Sequence, residues 1–119
     1  MEIKEKSREF TKKEIYLMTM DADTTSVKEV EDGTKILVDG YLIYTDINQK
    51  DGTEHELISV ITPDRKVYVA QSDTFKRELV KMFEVFGEDG VFSIIKKSGA
   101  TNNGREYVTC VLDKDSIKD

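Results

Sequence analysis

Tryptophan is absent from this chain, and cysteine, histidine and proline each occur once. A lone cysteine, Cys110, excludes an internal disulfide, and His55 by itself cannot furnish a zinc cluster, so counting residues implies no cofactor. No apolar run approaches the roughly 18 residues of a membrane span, and no charged-then-apolar leader opens the chain. These absences predict a cytoplasmic protein that does not contact a membrane. Low-complexity linkers and repeats of solenoid period are also missing. What remains is 119 residues, 38% hydrophobic and 35% charged, enough for one domain with a core that needs no metal or disulfide staple.

The net charge of -6 argues against a strongly basic nucleic-acid binder, but its distribution matters more than its sum. Residues 1–62 carry 8 positive and 14 negative side chains, whereas 63–112 carry 8 positive and 7 negative. The second half can therefore present a local basic groove.

The clearest helical signal is Ser72 to Gly87, where Phe75, Leu79, Met82, Phe83 and Phe86 recur at helical spacing opposite Lys76, Arg77, Lys81 and Glu84. Ser72 or Asp73 supplies an N-cap, and Gly87 a left-handed stop. Upstream, the charged opening "MEIKEKSREF" reads as frayed. Thr11 and Glu14 then have the spacing of a capping box, which predicts a short helix over about 11–20. Residues 21–33 read as a loop. Lys35 to Asp46 is a strand with Gly40 marking a bend in its middle, Asn48 to Gly52 a hairpin loop, and "EHELISVIT" the returning strand. "TPDR" at Thr62 to Arg65 turns the chain into a third strand, "KVYVAQ". After the helix, "VFSIIKK" and "REYVTCVL" form a second hairpin around the loop Ser98 to Gly104.

Three strands, a helix and two strands is the connectivity of the OB fold. The expectation is a mainly β protein, a five-stranded OB-like barrel spanning residues 1–112 with an added N-terminal helix, followed by a flexible acidic tail at 113–119.

Catalytic readings fail early. Cys110 alternates with Val108 and Leu112 and reads as a buried strand residue, His55 lies beside Glu54 and Glu56 at a strand start, and neither has an evident catalytic partner. The loop between Gly99 and Gly104 lacks the GK[ST] ending of a phosphate-binding loop. The chain is therefore expected not to be an enzyme. A surface combining cations with aromatic rings is the remaining candidate, because Lys and Arg neutralise phosphates while exposed rings stack on bases. If Val67 and Val69 point inward, Lys66 and Tyr68 point out, with Arg65 at the strand entry. By the same alternation Val108, Cys110 and Leu112 point in and Arg105 and Tyr107 out. Lys96 and Lys97 precede the second hairpin loop, and Tyr41 and Tyr44 follow the Gly40 bend. These nine residues form the expected nucleic-acid surface.

The stretches "DGTKILVDGYLIYTD", "TPDRKVYVAQSDTF" and "KKSGATNNGREYVTC", in that order, resemble the small single-stranded-DNA-binding proteins encoded by phages and mobile elements of Gram-positive bacteria, over roughly residues 10–112. The resemblance implies an accessory of DNA replication or recombination, acting in the host cytoplasm, with Arg105 and Tyr107 at the DNA. The tail "DKDSIKD" is weakly similar to the acidic tails through which such proteins dock replication partners, but lacks their terminal apolar residue. Exposed strand edges would also suit a homodimer. The competing expectation from charge alone is an acidic interaction or inhibitory module that binds a basic host protein. An assembly component is a third.

Overall fold

The computed structural model describes residues 1–47 and 50–118. In chain order the elements are β1 (Glu2–Lys6), α1 (Lys12–Thr19), β2 (Thr25–Ser26), β3 (Lys35–Val38), β4 (Gly40–Ile47), β5 (Glu54–Ile61), β6 (Val67–Ala70), α2 (Asp73–Phe86), β7 (Phe92–Ala100) and β8 (Glu106–Leu112). Short 3-10 turns occupy Val27–Glu29, Gly87–Asp89 and Lys114–Ser116. The expected loop Asn48 to Gly52 falls partly outside the described residues. Neither helix is long and apolar enough to cross a membrane.

The fold is mainly β, with two helices and two sheets. One sheet has the order β1-β4-β5-β6-β2 and the other β3-β7-β8; among the described residues only the β2–β6 pair is parallel. Neither sheet closes into a barrel among the described residues. The β6 edge is taken by β2, through Thr25 opposite Tyr68 and Ser26 opposite Val69, so it does not meet β8.

The predicted first strand is divided at Asp39 between the two sheets. Side chains of a regular strand alternate, which would put Ile36, Val38, Leu42 and Tyr44 on one face. Instead Ile36 and Val38 share the main core with Tyr41 and Ile43, while Leu42 and Tyr44 belong to a second core. The interruption shifts the alternation by one residue. Gly40 permits the bend by admitting a neighbour: a Cβ there would sit 2.8 Å from the Phe10 ring and 3.2 Å from Ser7 Oγ.

The main core lies between the sheets and under α2, whose Phe75 and Leu79 are fully buried against Val60, Ile58, Ile94 and Cys110. Phe83 stands edge-on to both Tyr41 and Phe92, at 5.0 and 4.9 Å between ring centroids. The second core is on the opposite face of the larger sheet, where α1 lays Met18 over Leu42, Tyr44, Ile61 and Val67. The expected capping box is formed: Glu14 N–H donates to Thr11 Oγ1 and Thr11 N–H to Glu14 Oε1.

Several local expectations are corrected. Residues 2–6 are not frayed. They pair with β4, Tyr41 N–H donates to Ser7 Oγ and the Tyr41 hydroxyl to Glu5 Oε2, yet every β1 side chain is exposed, which left no apolar pattern to read. Gly87 keeps a right-handed φ of -59° and begins a 3-10 turn; the positive φ belongs to Gly90. Lys76, expected on the outer helix face, is buried between Asp73 and Glu56. The segment after β8 does not trail free through its described length: Asp113 N–H donates to Ser93 O, Ser93 N–H to Ser116 Oγ, and Ile117 packs on the main core.

Arg8 ties the N-terminal segment to the bend. Its Nη2 reaches Glu14 Oε2 at 3.0 Å and Asp39 Oδ2 at 3.1 Å, and its guanidinium lies 4.3 Å from the Phe10 ring centroid. The hydrogen bond from Arg8, with that from Thr11, lowers the Glu14 carboxyl from 4.5 to about 2. Glu14→Gln is expected to cost about 1–3 kcal/mol of stability at neutral pH. A depressed carboxylate stabilises above its unfolded pKa, so the gap between wild type and Glu14→Gln should close as pH falls from about 4.5 toward 2, read from paired denaturant titrations.

Candidate nucleic-acid interface

Four of the nine expected surface residues do not stand free on the surface, three of them buried and one half-buried. Tyr41 is 6% exposed, its ring held by Phe83 and its hydroxyl by Glu5; burial and that bond push its phenol well above the ordinary range. Tyr44, 3% exposed, lies in the second core, and burial raises its phenol too. Tyr68 is half-buried against the main core, whereas Val67 and Val69 belong to the α1 side, so the expected facing of β6 is reversed. The physical reason is common to all three: the larger sheet is covered on both faces, and alternation along a strand covered on both sides does not identify an outside.

Lys96 is the fourth, at 4% exposure. It shares the inward face of β7 with Ile94, opposite Cys110, and its ammonium donates to Val30 O at 2.7 Å and Asp32 Oδ1 at 2.8 Å. Asp32 also accepts from Ser98 Oγ, and these bonds hold its carboxyl below the usual range. Backbone bonds from Gly33 N–H to Lys96 O and from Lys96 N–H to Thr34 O complete the staple. Lys96 therefore fastens the loop ahead of β3 to β7.

Arg65 and Lys66 are exposed at the β5–β6 turn. That turn is built by Thr62, whose Oγ1 bonds Asp64 and accepts from Lys66 N–H, and Arg65 takes a left-handed φ of 66°. The turn is at the opposite end of β6 from the second hairpin. Between them, α1 covers the outer face of β5 and β6, with Ser59 Oγ donating to Met18 O.

Lys97, Arg105 and Tyr107 are brought together. The β7–β8 ladder runs past the core to Ala100 opposite Glu106 and closes in a turn, with Thr101 N–H donating to Arg105 O and Gly104 at a φ of 78°. This extension forms an arm. Lys97 lies opposite Thr109 and Gly99 opposite Tyr107, which places these four on one face of the arm by alternation. Among the described residues the side chains of Lys97, Arg105 and Tyr107 have no hydrogen-bond or ion-pair partner, and all three are exposed.

Beside the arm is an open cleft of about 1010 Å³. The floor and far wall come from Leu57, Val69, Gln71, Ser26 and Lys28, and the near wall from Ser98, Arg105, Glu106, Tyr107 and Val108. Asp73 and Thr74 of the first turn of α2 close one end. Sequence reading missed this far wall, because Thr24–Glu29 has only a loop's composition and gains its place through the short parallel β2–β6 pairing. A smaller recess of about 200 Å³, lined by Asp46, Ile47 and His55, shares Leu57 and Gln71 with the cleft. Charges in the cleft are mixed: Lys28 and Arg105 against Glu29, Asp73 and Glu106. Cys110 is buried, and desolvation pushes its thiol up to about 12, so it is not a thiolate at neutral pH.

The two adjacent lysines should separate cleanly. Lys96→Ala is expected to cost about 2 kcal/mol of stability by removing a buried side chain that bonds Val30 O and Asp32, and Lys97→Ala less than about 0.5 kcal/mol, measured by chemical denaturation.

No family model matches the chain, and no curated protein or solved structure does either, so its function is read from its own residues.

Proposed function

We propose that the protein binds single-stranded DNA, non-covalently and without sequence preference, along the β7–β8 arm and the cleft beside it. The observation that carries this reading is the grouping of Lys97, Arg105 and Tyr107, unpartnered among the described residues, on an arm that borders an open cleft. A ring and two cations are the pair of chemistries that a flexible strand of bases and phosphates requires. The cleft's apolar floor, Leu57 and Val69, suits a base better than a phosphate.

The fold supports the same reading when taken as an open variant of the OB architecture. β3 and β4 then stand for its bent first strand, β5 and β6 for the second and third, and β7 and β8 for the fourth and fifth. The cleft replaces the contact that would close the barrel. The resemblance of "GREY" at 104–107 to phage and mobile-element DNA-binding proteins agrees with it, and with a role in protecting single strands during replication or recombination.

A second reading is favoured by one observation: acidic side chains outnumber basic ones in the cleft, which suits a basic protein partner. The two readings differ in sign. Glu106→Gln and Asp73→Asn remove repulsion of phosphates and strengthen DNA binding, but weaken the capture of a basic partner.

Fluorescence anisotropy with labelled oligothymidine tests the DNA reading. Arg105→Ala and Lys97→Ala should each weaken binding several-fold, leaving the unfolding transition in place. With Lys28, Lys97 and Arg105 each meeting one phosphate, log K should fall against log salt with a slope of about -2. Absence of binding at micromolar protein in low salt would remove this function.

A further inference from the structure

Gly99 and Tyr107 are direct cross-strand partners on the arm. An ideal Cβ built on Gly99 would sit 2.4 Å from Tyr107 Cζ, 2.5 Å from its hydroxyl oxygen and 2.9 Å from Cε1. No real side chain tolerates such distances, so the hydroxyl end of the ring rests directly on the glycine backbone. Gly99 does not have a positive φ, and the arm does not need a glycine there for its backbone. What needs the glycine is the ring.

We propose that Gly99 is a positioning residue that seats Tyr107 against β7 and thereby fixes it, between Lys97 and Arg105, as a one-sided stacking platform for a base. The inference rests on the DNA-binding reading above and deepens it. One side of the ring is spent on β7, and the other stays open, with Tyr107 at 37% exposure. A ring already held pays less ordering entropy when a base arrives than one that swings freely. An aromatic ring laid over a cross-strand glycine is also a known stabiliser of exposed strands.

The substitution Gly99→Ala has opposite consequences for folding and binding. The atoms in its way are the far end of a flexible side chain, so the ring swings aside at little cost, and alanine suits a strand interior better than glycine. The melting temperature should hold or rise. Binding of labelled oligothymidine should weaken, approaching the loss caused by Tyr107→Ala, which stacking energies place between about 5- and 150-fold. Because Gly99 acts through Tyr107, the double variant should bind no worse than Tyr107→Ala alone. Since the chain has no tryptophan, Tyr107→Trp creates a single reporter, and adding Gly99→Ala should shift its emission to the red and increase quenching by acrylamide.

Wild-type affinity in Gly99→Ala, a further multiplicative loss in the double variant, or an unchanged tryptophan spectrum would each overturn the positioning role. If the wild-type protein itself binds no oligothymidine, the DNA-binding reading falls and takes this inference with it.

Discussion

The architecture depends on one interrupted strand. Asp39 breaks the run from Lys35 to Ile47 so that its first half pairs with β7 and its second with β5, and the one-residue shift in alternation lets Ile36, Val38, Tyr41 and Ile43 line the same core from two sheets. The bend is held from outside by Phe10, packed where a side chain at Gly40 would be, and by Arg8, which joins Asp39 to Glu14 of the α1 capping box. Without that junction the two sheets would have no shared strand, and the arm and cleft would lose their common frame.

How much of this was legible follows from the same physics. Both helices could be read, because Thr11 with Glu14 and the Phe75-to-Phe86 stripe are local signals. So could the facing of β8, where Cys110 is buried between Val108 and Leu112, but the strand order only in part, since the expected first strand is two strands and β1 and β2 went unread. Of the candidate site, the exposure of Lys97, Arg105 and Tyr107 on the arm was legible, and so was that of Arg65 and Lys66 at the far turn. It was misread at Tyr41, Tyr44 and Tyr68 because strands buried on both faces carry hydrophobic residues at every position. It was misread at Lys96 because the partners of that lysine, Val30 and Asp32, are more than sixty residues away in the chain. β1 gave no signal at all, having nothing to bury.

The electrostatics follow a similar division. Arg8, Lys76 and Lys96 are engaged with carboxylates of other elements and act as fasteners: Arg8 at the bend, Lys76 between α2 and β5, Lys96 between the 30–34 loop and β7. Counting positive charge in the sequence therefore overstates what is offered to a ligand. The arm gains its character from a few cations left without such duties, while the charged residues lining the cleft beside it are predominantly acidic.

β1 has a further consequence. It lies along the outer edge of β4, and its five residues Glu2 to Lys6 include four charged side chains that all face solvent. An exposed edge beside Leu42 and Tyr44 would offer an open ladder to any strand of another molecule. The charged strand occupies that ladder and becomes the edge of the sheet itself, so the edge left open is one whose charged side chains disfavour pairing with another strand.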